Sequence, residues 1–385
     1  MRVIELDVLQ RRTLVWAGLA VVLTAFDGSV LVLALPAIAA DFKAQIPGLS
    51  NLGSVLALGS LGALPLATLA DRFGRRRLIA IGVAGFSIAN FASAFAPSLT
   101  ALSLIRMVAV CFEALVAGVA TALIVEEAPP GRRGQAVSVL AVLGGLGTLA
   151  TVLSYPLLAP HWRWLFLAGG IGLLAAPVIW LRLPEGRTWG KVRPTGSALK
   201  LLAGGAWRRR IVVLSATTAL ITVLLQPAGL LFTVFASGVL HMTPVAISAL
   251  IIVSGAAGGA AYLAGGYLSD RFGRRWPAIT LTATTAIVTS VSFASGIVGF
   301  VAGNVLWSAI ASAATPVFGA WTAELFPTRA RATAQATIGV AATIGAIVGL
   351  QAVGALSQPF GLGRAQPRRR LPPPLAARDQ ADTAS

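Results

Sequence analysis

Charge is scarce in this sequence, and negative charge is scarcer still. Asp, Glu, Lys and Arg together make up 11% of its 385 residues, with 13 acidic side chains against 30 basic ones. Soluble domains carry about 25% charged residues, so this chain cannot cover an ordinary core with an ordinary water-facing surface. Cysteine occurs once, as Cys111 inside an apolar run, which excludes an intramolecular disulfide framework and any multi-cysteine metal site. A small core residue is the plain reading of that thiol. The two histidines, His161 and His241, stand apart in loops, no P-loop lysine is present, and no Ser or Asp cluster has a base beside it. Enzymatic chemistry, ATP-driven pumping, a bound metal and a cofactor are therefore not expected.

What the chain has instead is long apolar runs. Hydrophobic residues make up 56% of it, and the runs fall near 14–40, 49–70, 78–97, 99–125, 134–158, 163–181, 211–239, 243–268, 276–296, 297–321 and 332–357. About 20 residues of helix cross about 30 Å of hydrocarbon. Each run must be a helix, because a segment in lipid satisfies its own backbone hydrogen bonds, and a closed barrel would show alternating strands of about ten residues instead. The run over 14–40 is too long for the apolar core of a secretory signal, about 7–15 residues, and is read as the first span. The fold class expected is an all-α membrane protein of about eleven spans.

A net charge of +17 would suggest a nucleic-acid partner if it lay on one face of a folded domain. Here the basic residues cluster in short loops between the apolar runs. With the N-terminus in the cytoplasm, that side carries Arg2, Arg11 and Arg12, Arg72 and Arg75 to Arg77, Arg132 and Arg133, eight Lys and Arg within 182–210, Arg271, Arg274 and Arg275, and Arg329 and Arg331. Those 22 face only Lys43 and Arg163 on the other side. This is the positive-inside bias of a multi-pass protein of the cell (inner or plasma) membrane, and it implies no nucleic acid.

The chain also repeats itself. Residues 67–76, ATLADRFGRR, are echoed by 266–275, GYLSDRFGRR, at an offset of 199, and 126–133, EEAPPGRR, by 324–331, ELFPTRAR, at 198. Both motifs sit at the same point of a six-helix half. At these residues the chain resembles the major facilitator superfamily. G-x-x-x-D-R-x-G-R-R between spans two and three is similar to that family's signature, with Ala67 at the first glycine where the second copy keeps Gly266. E-x-x-P-x-x-x-R after spans four and ten is similar to its sugar-porter and metabolite:proton symporter branches, and residues 183–189, LPEGRTW, loosely resemble the P-E-S-P-R-W segment after the sixth span there.

The resemblance covers roughly residues 14–358. It implies two pseudo-symmetric helical bundles rocking about a central site, and a secondary active transporter that moves a small polar metabolite, a sugar or an organic acid, by proton symport. On this reading residues 1–181 form an N-terminal six-helix bundle, 182–210 a cytoplasmic basic linker, 211–358 a C-terminal bundle of five spans and 359–385 a basic, Pro-rich, disordered tail.

The repeated loops carry candidate gating residues: Asp71, Arg72, Gly74, Arg75, Glu126 and Arg133 in the first copy, and Asp270, Arg271, Gly273, Arg274, Glu324 and Arg331 in the second. A loop with one aspartate and three or more arginines either pairs with opposite charges on neighbouring loops or only anchors the topology. Acidic residues at the ends of neighbouring helices, Glu126 or Glu127 and Glu324, favour pairing, made when the protein is open outward and broken when it is open inward.

A charge at the bilayer centre costs at least about 2.5–3.5 kcal/mol on insertion scales, so three residues need a reason. Asp27 lies about 20 Å into span one, and Arg106 and Glu113 stand seven residues apart in span four, on one face and about 10 Å apart. One reading is a coupling site in which the carboxylates take up and release a proton while Arg106 binds an anionic group or tunes a carboxylate. The other is a static ion pair fastening span one to span four. In the resembled family spans one, four, seven and ten line the cavity, which favours the first. Arg106 and Glu113 also partly match an R-x-x-x-G-x-x-E pattern of anion-transporting members, with Val110 at the glycine.

In the second half the cavity candidates are neutral: Gln226 beside Pro227 in span seven, and Asn304 and Trp307 in span ten, whose helix Pro316 is expected to interrupt. The glycines of span eight read as close-packing positions, and Trp162, Trp164 and Trp180 as interfacial anchors. The partners expected are a small-molecule substrate, protons and the lipid bilayer, with the protein a monomer. Two alternatives stay open. Residues 26–36, FDGSVLVLALP, are similar to the first span of proton-coupled drug and metabolite exporters. Residues 362–385 carry four prolines and five arginines in place of a twelfth apolar run, which reads as a frame-shifted or truncated end and so as an inactive transporter.

Overall fold

The computed structural model describes residues 8–68, 73–128, 133–159, 161–185, 204–273, 275–326 and 328–357. These residues form helices and no strand: α1 Val8–Asp41, α2 Ile46–Thr68, α3 Arg75–Ala94, α4 Leu99–Glu127, α5 Arg133–Leu158, α6 Trp162–Gly169, α7 Gly172–Arg182, α8 Gly205–Gly238, α9 Pro244–Phe272, α10 Arg275–Ala294, α11 Gly296–Leu325 and α12 Thr328–Ser357. Eleven stretches among them are long and apolar enough to cross a membrane, with α6 and α7 together supplying the sixth.

The sequence repeat becomes a repeat of packing. In the first half α1 lies on α5 while α2 and α3 lie on α4, and in the second α8 lies on α12 while α9 and α10 lie on α11. The chain enters α3 through Gly74 at φ 89° and leaves α9 through Gly273 at φ 76°. That left-handed region is open to glycine and disfavoured for residues with a β-carbon, which explains a glycine at this point of both copies.

Pro227 and Pro316 lie inside continuous helices, α8 and α11. Each proline removes a single i→i−4 bond, and the turns on either side carry the helix past it. The interruption falls in span six instead. There the backbone closes in three-residue steps, Gly170 N–H to the Leu167 carbonyl at 3.0 Å and Ile171 N–H to the Ala168 carbonyl at 3.2 Å. The flanking Gly169 and Gly172 press on Asn90 and Ser87 of α3, where an added β-carbon would collide.

One apolar core joins the halves, with Val30, Leu35 and Leu52 from the first meeting Leu230, Phe232 and Leu350 from the second. It lies toward the end of the bundle that carries Asp41. Toward the basic end each half keeps its own core, one around Phe86, Leu115 and Leu123 and the other around Ile211, Phe326 and Ile338. Hydrogen bonds across the boundary follow the same gradient. Thr233 donates to the Val32 carbonyl, Ser248 to the Val152 carbonyl at 2.9 Å, and the Gln351 amide to Asn51 and Ser54, both at 2.9 Å.

Gly53 of α2 sits directly against Leu230 and Leu350 of the other half, with no room for a side chain. Gly53→Val is therefore expected to act as a wedge and raise the population open at the Asp41 end. Spin labels at the exposed positions 43 and 241, read by pulsed electron resonance, should report a new longer-distance population. An unchanged distance distribution would refute the wedge.

Candidate functional site

Arg106 is the largest fully buried side chain described, 1% exposed. Four helices supply what surrounds it. From α1, Asp27 Oδ1 accepts from Nη1 at 2.9 Å, and from its own helix, α4, Glu113 Oε1 accepts from Nη2 at 2.9 Å. From α3, Asn90 Oδ1 accepts from Nη1 at 2.7 Å, and from α6 the Phe166 ring centre lies 5.4 Å from the guanidinium carbon. The three charged residues expected to act together are thus in contact, because the long arginine reaches along α4 to Glu113 and across to α1.

The cluster is uneven in two respects. Asp27 is fully buried, while the Glu113 side chain keeps 12% of its surface. One guanidinium also faces two carboxylates, so the fully ionised cluster carries one unbalanced negative charge out of water. A buried charge without a partner is costly, and a single bound proton removes the imbalance.

Between the halves lies a cavity of about 450 Å³. The first half lines it with Ser29 and Thr148 among others, the second with Phe232, Ser254, Asn304 and Trp307. None of its described lining residues is charged. Mostly apolar walls with a few placed polar groups are what small-molecule sites have. Asn304 is held by the Ser254 hydroxyl, which donates to its Oδ1 at 2.7 Å, and Ser308 in turn donates to the Ser254 carbonyl at 2.8 Å.

Of the residues expected at this site, Asn304 and Trp307 line the cavity, whereas Gln226 is exposed and outside its lining. Asp27 and Arg106 stand behind the wall rather than in it. The wall is thin there: Gly28 lines the cavity, and a β-carbon on it would lie 3.6 Å from Glu113 Oε2. The span-eight glycines divide, since Gly258 packs on Ser308 and Ser312 and Gly265 on the Ala313 backbone, while Gly255 faces the cavity.

At the basic end Arg75 pairs with Glu126, joining the two motifs of the first copy within one half. Glu185 adds to this. Its Oε1 accepts from the backbone N–H of Arg75 at 2.6 Å and of Arg76 at 3.3 Å, a carboxylate on the N-terminus of α3 where the helix dipole favours it. In the second copy Arg271 is exposed and lies over Phe272, with its Nη1 3.3 Å from the Tyr267 hydroxyl. Asp71, Arg72 and Arg274 lie outside the described residues, as do the side chains of Arg133, Asp270, Glu324 and Arg331. Trp164 and Trp180 are exposed at span ends, but Trp162 turns inward and donates to Asp41 at 3.1 Å.

Sequence reasoning missed Asn90, Phe166 and Glu185. The first two carry no charge to mark them in an apolar run. The third stood in the LPEGRTW segment and was legible there only as part of a loop.

A model of the Major Facilitator Superfamily matches residues 17–243 and 228–365. The puromycin resistance protein of Streptomyces alboniger is 34% identical over 195 residues, 48% of this chain and 38% of that protein. A Bacillus subtilis protein with a provisional assignment as a niacin/nicotinamide transporter is 27% identical over 362 residues, 90% of this chain and 89% of its own. The gallate transporter of Pseudomonas putida is 32% identical over 181 residues, 45% and 39% of the two chains. The matches to the puromycin resistance protein and the gallate transporter thus span less than half of either protein. Among solved structures, a bacterial homologue of the human lysosomal transporter Spinster, in an inward-facing and unoccupied conformation, superposes with a TM-score of 0.76 at 20% identity, covering 93% of this chain and 84% of that one.

If the cluster is held by charge, removing the arginine alone should be worse than removing all three charges. Arg106→Met is expected to destabilise by about 3–5 kcal/mol, since it strands two buried carboxylates. Adding Asp27→Asn and Glu113→Gln should recover most of that loss. Thermal unfolding followed by tryptophan fluorescence in detergent checks both, and a triple variant no more stable than the single one would contradict the argument.

Proposed function

The chain belongs to the Major Facilitator Superfamily, and from that premise we propose that it is a proton-coupled transporter of a small aromatic acid or similarly small ring-bearing metabolite. The observation that carries this reading is the pairing of two sites across one thin wall. On one side is a cavity with the Trp307 and Phe232 rings and the amide of Asn304; on the other is a buried cluster with one more carboxylate than it has cations. The relative provisionally assigned to niacin/nicotinamide and the gallate transporter support the substrate class, since niacin and gallate are both ring-bearing acids. Both terminal nitrogens of Arg106 are taken by the chain's own groups, so the cavity's neutral donors are left to receive the substrate.

We place the N-terminus and the basic loops on the cytoplasmic side of the cell membrane. On that orientation the halves meet at the outer end, and the conformation is the inward-facing one of an alternating-access cycle. Glu113, the only member of the cluster with appreciable exposure, is the group that exchanges its proton with the cavity, and it shares that proton with Asp27 directly, carboxyl to carboxylate, while the guanidinium stays charged. A second reading, proton-coupled export of a drug, is favoured by one specific observation: no described residue lining the cavity is charged, which suits an uncharged cargo.

Reconstitution into liposomes separates the two. Labelled nicotinate and gallate, tested with and without an imposed pH gradient, should accumulate when the outside is acidic. Asp27→Asn and Glu113→Gln should each abolish accumulation while leaving the protein inserted. Wild-type accumulation by both variants would remove the proton role, and gradient-driven expulsion of puromycin with no acid uptake would favour the exporter.

A further inference from the structure

We propose that Asn90 is the positioning residue of the proton-coupling cluster, an uncharged anchor that keeps the Arg106 guanidinium in place while protons come and go on the carboxylates beside it. This rests on the proton-coupled reading above and adds a residue that neither motif nor charge singles out. Asn90 is fully buried, and its Oδ1 accepts from Arg106 Nη1 at 2.7 Å. The same nitrogen donates to Asp27 Oδ1 at 2.9 Å. When Asp27 gains a proton it loses its charge, and with it the Coulomb attraction that added to its hydrogen bond with the arginine. An amide does not titrate, so the Asn90 contact persists through the cycle.

Asn90 is held through its oxygen, and its Nδ2 is buried with no hydrogen-bond partner. A β-carbon on Gly169 would stand 2.6 Å from Asn90 Nδ2 and 3.0 Å from its Cγ, so the glycine is what makes room for the amide. Reversing that amide would turn its N–H groups toward the guanidinium donors, so its orientation follows from the arginine. Phe166, on the same short helix as Gly169, lies against the guanidinium from another side. The break in span six therefore has a use: it lets one eight-residue helix bring both a ring and a side-chain-free surface to the cluster.

Among the described residues, charge reaches this point only from α1, as Asp27, and from α4, as Glu113. The charges of α3 are Arg75 to Arg77 at its first turn, α7 has Arg182 at its last turn, and α6 has Arg163, paired with Asp41 at the far end. Movement of the arginine is thus read out by two carboxylates and nothing else.

The test needs no transported substrate, because its probe is the proton. Infrared difference spectra of the full-length protein in lipid nanodiscs, recorded across pH, should show carboxyl bands assigned by their loss in Asp27→Asn and Glu113→Gln. Asn90→Leu keeps the volume and removes the acceptor, and Gly169→Ala keeps the acceptor and pushes it aside. Both should displace the titration midpoint by about one pH unit, a tenfold change in proton affinity. A role in packing alone would leave the midpoint where it is, and an unmoved midpoint in both variants overturns the proposal. Should the wild-type protein show no titrating band from Asp27 or Glu113, the coupling reading itself fails and this inference falls with it; bands that titrate but ignore Asn90 sink the inference alone.

Discussion

A guanidinium shut away from water stays charged, so its surroundings have to answer that charge. Around Arg106 the answer comes from α1, α3, α4 and α6 at once, through Asp27, Asn90, Glu113 and Phe166. Four helices of the first half are thereby tied to one atom group, and their mutual positions follow from its geometry. The second half is built differently. Among its described residues the buried polar groups are all neutral, as with Thr233, Ser254 and Asn304. Among the described residues the two copies of the repeat thus differ in chemistry, with fully buried charge in the first half alone.

That division also sorts the contacts by strength. The ion pairs described, Arg75 with Glu126, Arg106 with its two carboxylates, and Arg163 with Asp41, all lie within the first half. The bonds described between halves are hydroxyl or amide contacts such as Ser248 to the Val152 carbonyl and Gln351 to Ser54. A neutral hydrogen bond contributes about 0.5–1.5 kcal/mol net, whereas breaking a buried ion pair costs about 3–5 kcal/mol. The described boundary joins the halves through an apolar core and hydrogen bonds of the former kind, so the halves part without disrupting the latter. At the basic end Arg75 and Glu126 are paired while the halves keep separate cores, so on the proposed inward-facing reading this pair braces one bundle.

The fold and the charged part of the site were legible in the sequence because they depend on contrasts that one residue can display. Asp27, Arg106 and Glu113 stand out from apolar runs in which ionised groups are expensive, and the seven-residue spacing placed the last two on one face. Gly74 and Gly273 declared themselves by repetition. Asn90 had no such contrast, since a lone amide in a span reads equally well as an ordinary bond between helices. Its role depends on which helix lies opposite, and that is a tertiary fact. The break in span six was equally hidden. Glycine is common here, 41 residues in 385, and only the approach of Asn90 and Ser87 sets Gly169 and Gly172 apart. Proline misled for the opposite reason, because Pro227 and Pro316 are conspicuous locally yet the helices continue past them.

Helix α1 is where the two chemistries meet. Successive residues of a helix point about 100° apart, so Asp27, Gly28 and Ser29 address three directions in one stretch of backbone. Asp27 joins the arginine, Gly28 leaves Glu113 close to the cavity, and Ser29 lies on the cavity 3.2 Å from the Thr148 hydroxyl. Three residues further on, the Val32 carbonyl accepts from the Thr233 hydroxyl of the second half. The same helix therefore touches the buried charged cluster, the cavity and the opposite bundle. On the proposed coupling, neutralising one carboxylate relaxes the grip of Arg106 on α1 while Asn90 keeps the arginine itself from following. The displacement then falls on α1, the element that carries the contact to Thr233, and a change of one proton in the first half is felt at the seam where the halves part.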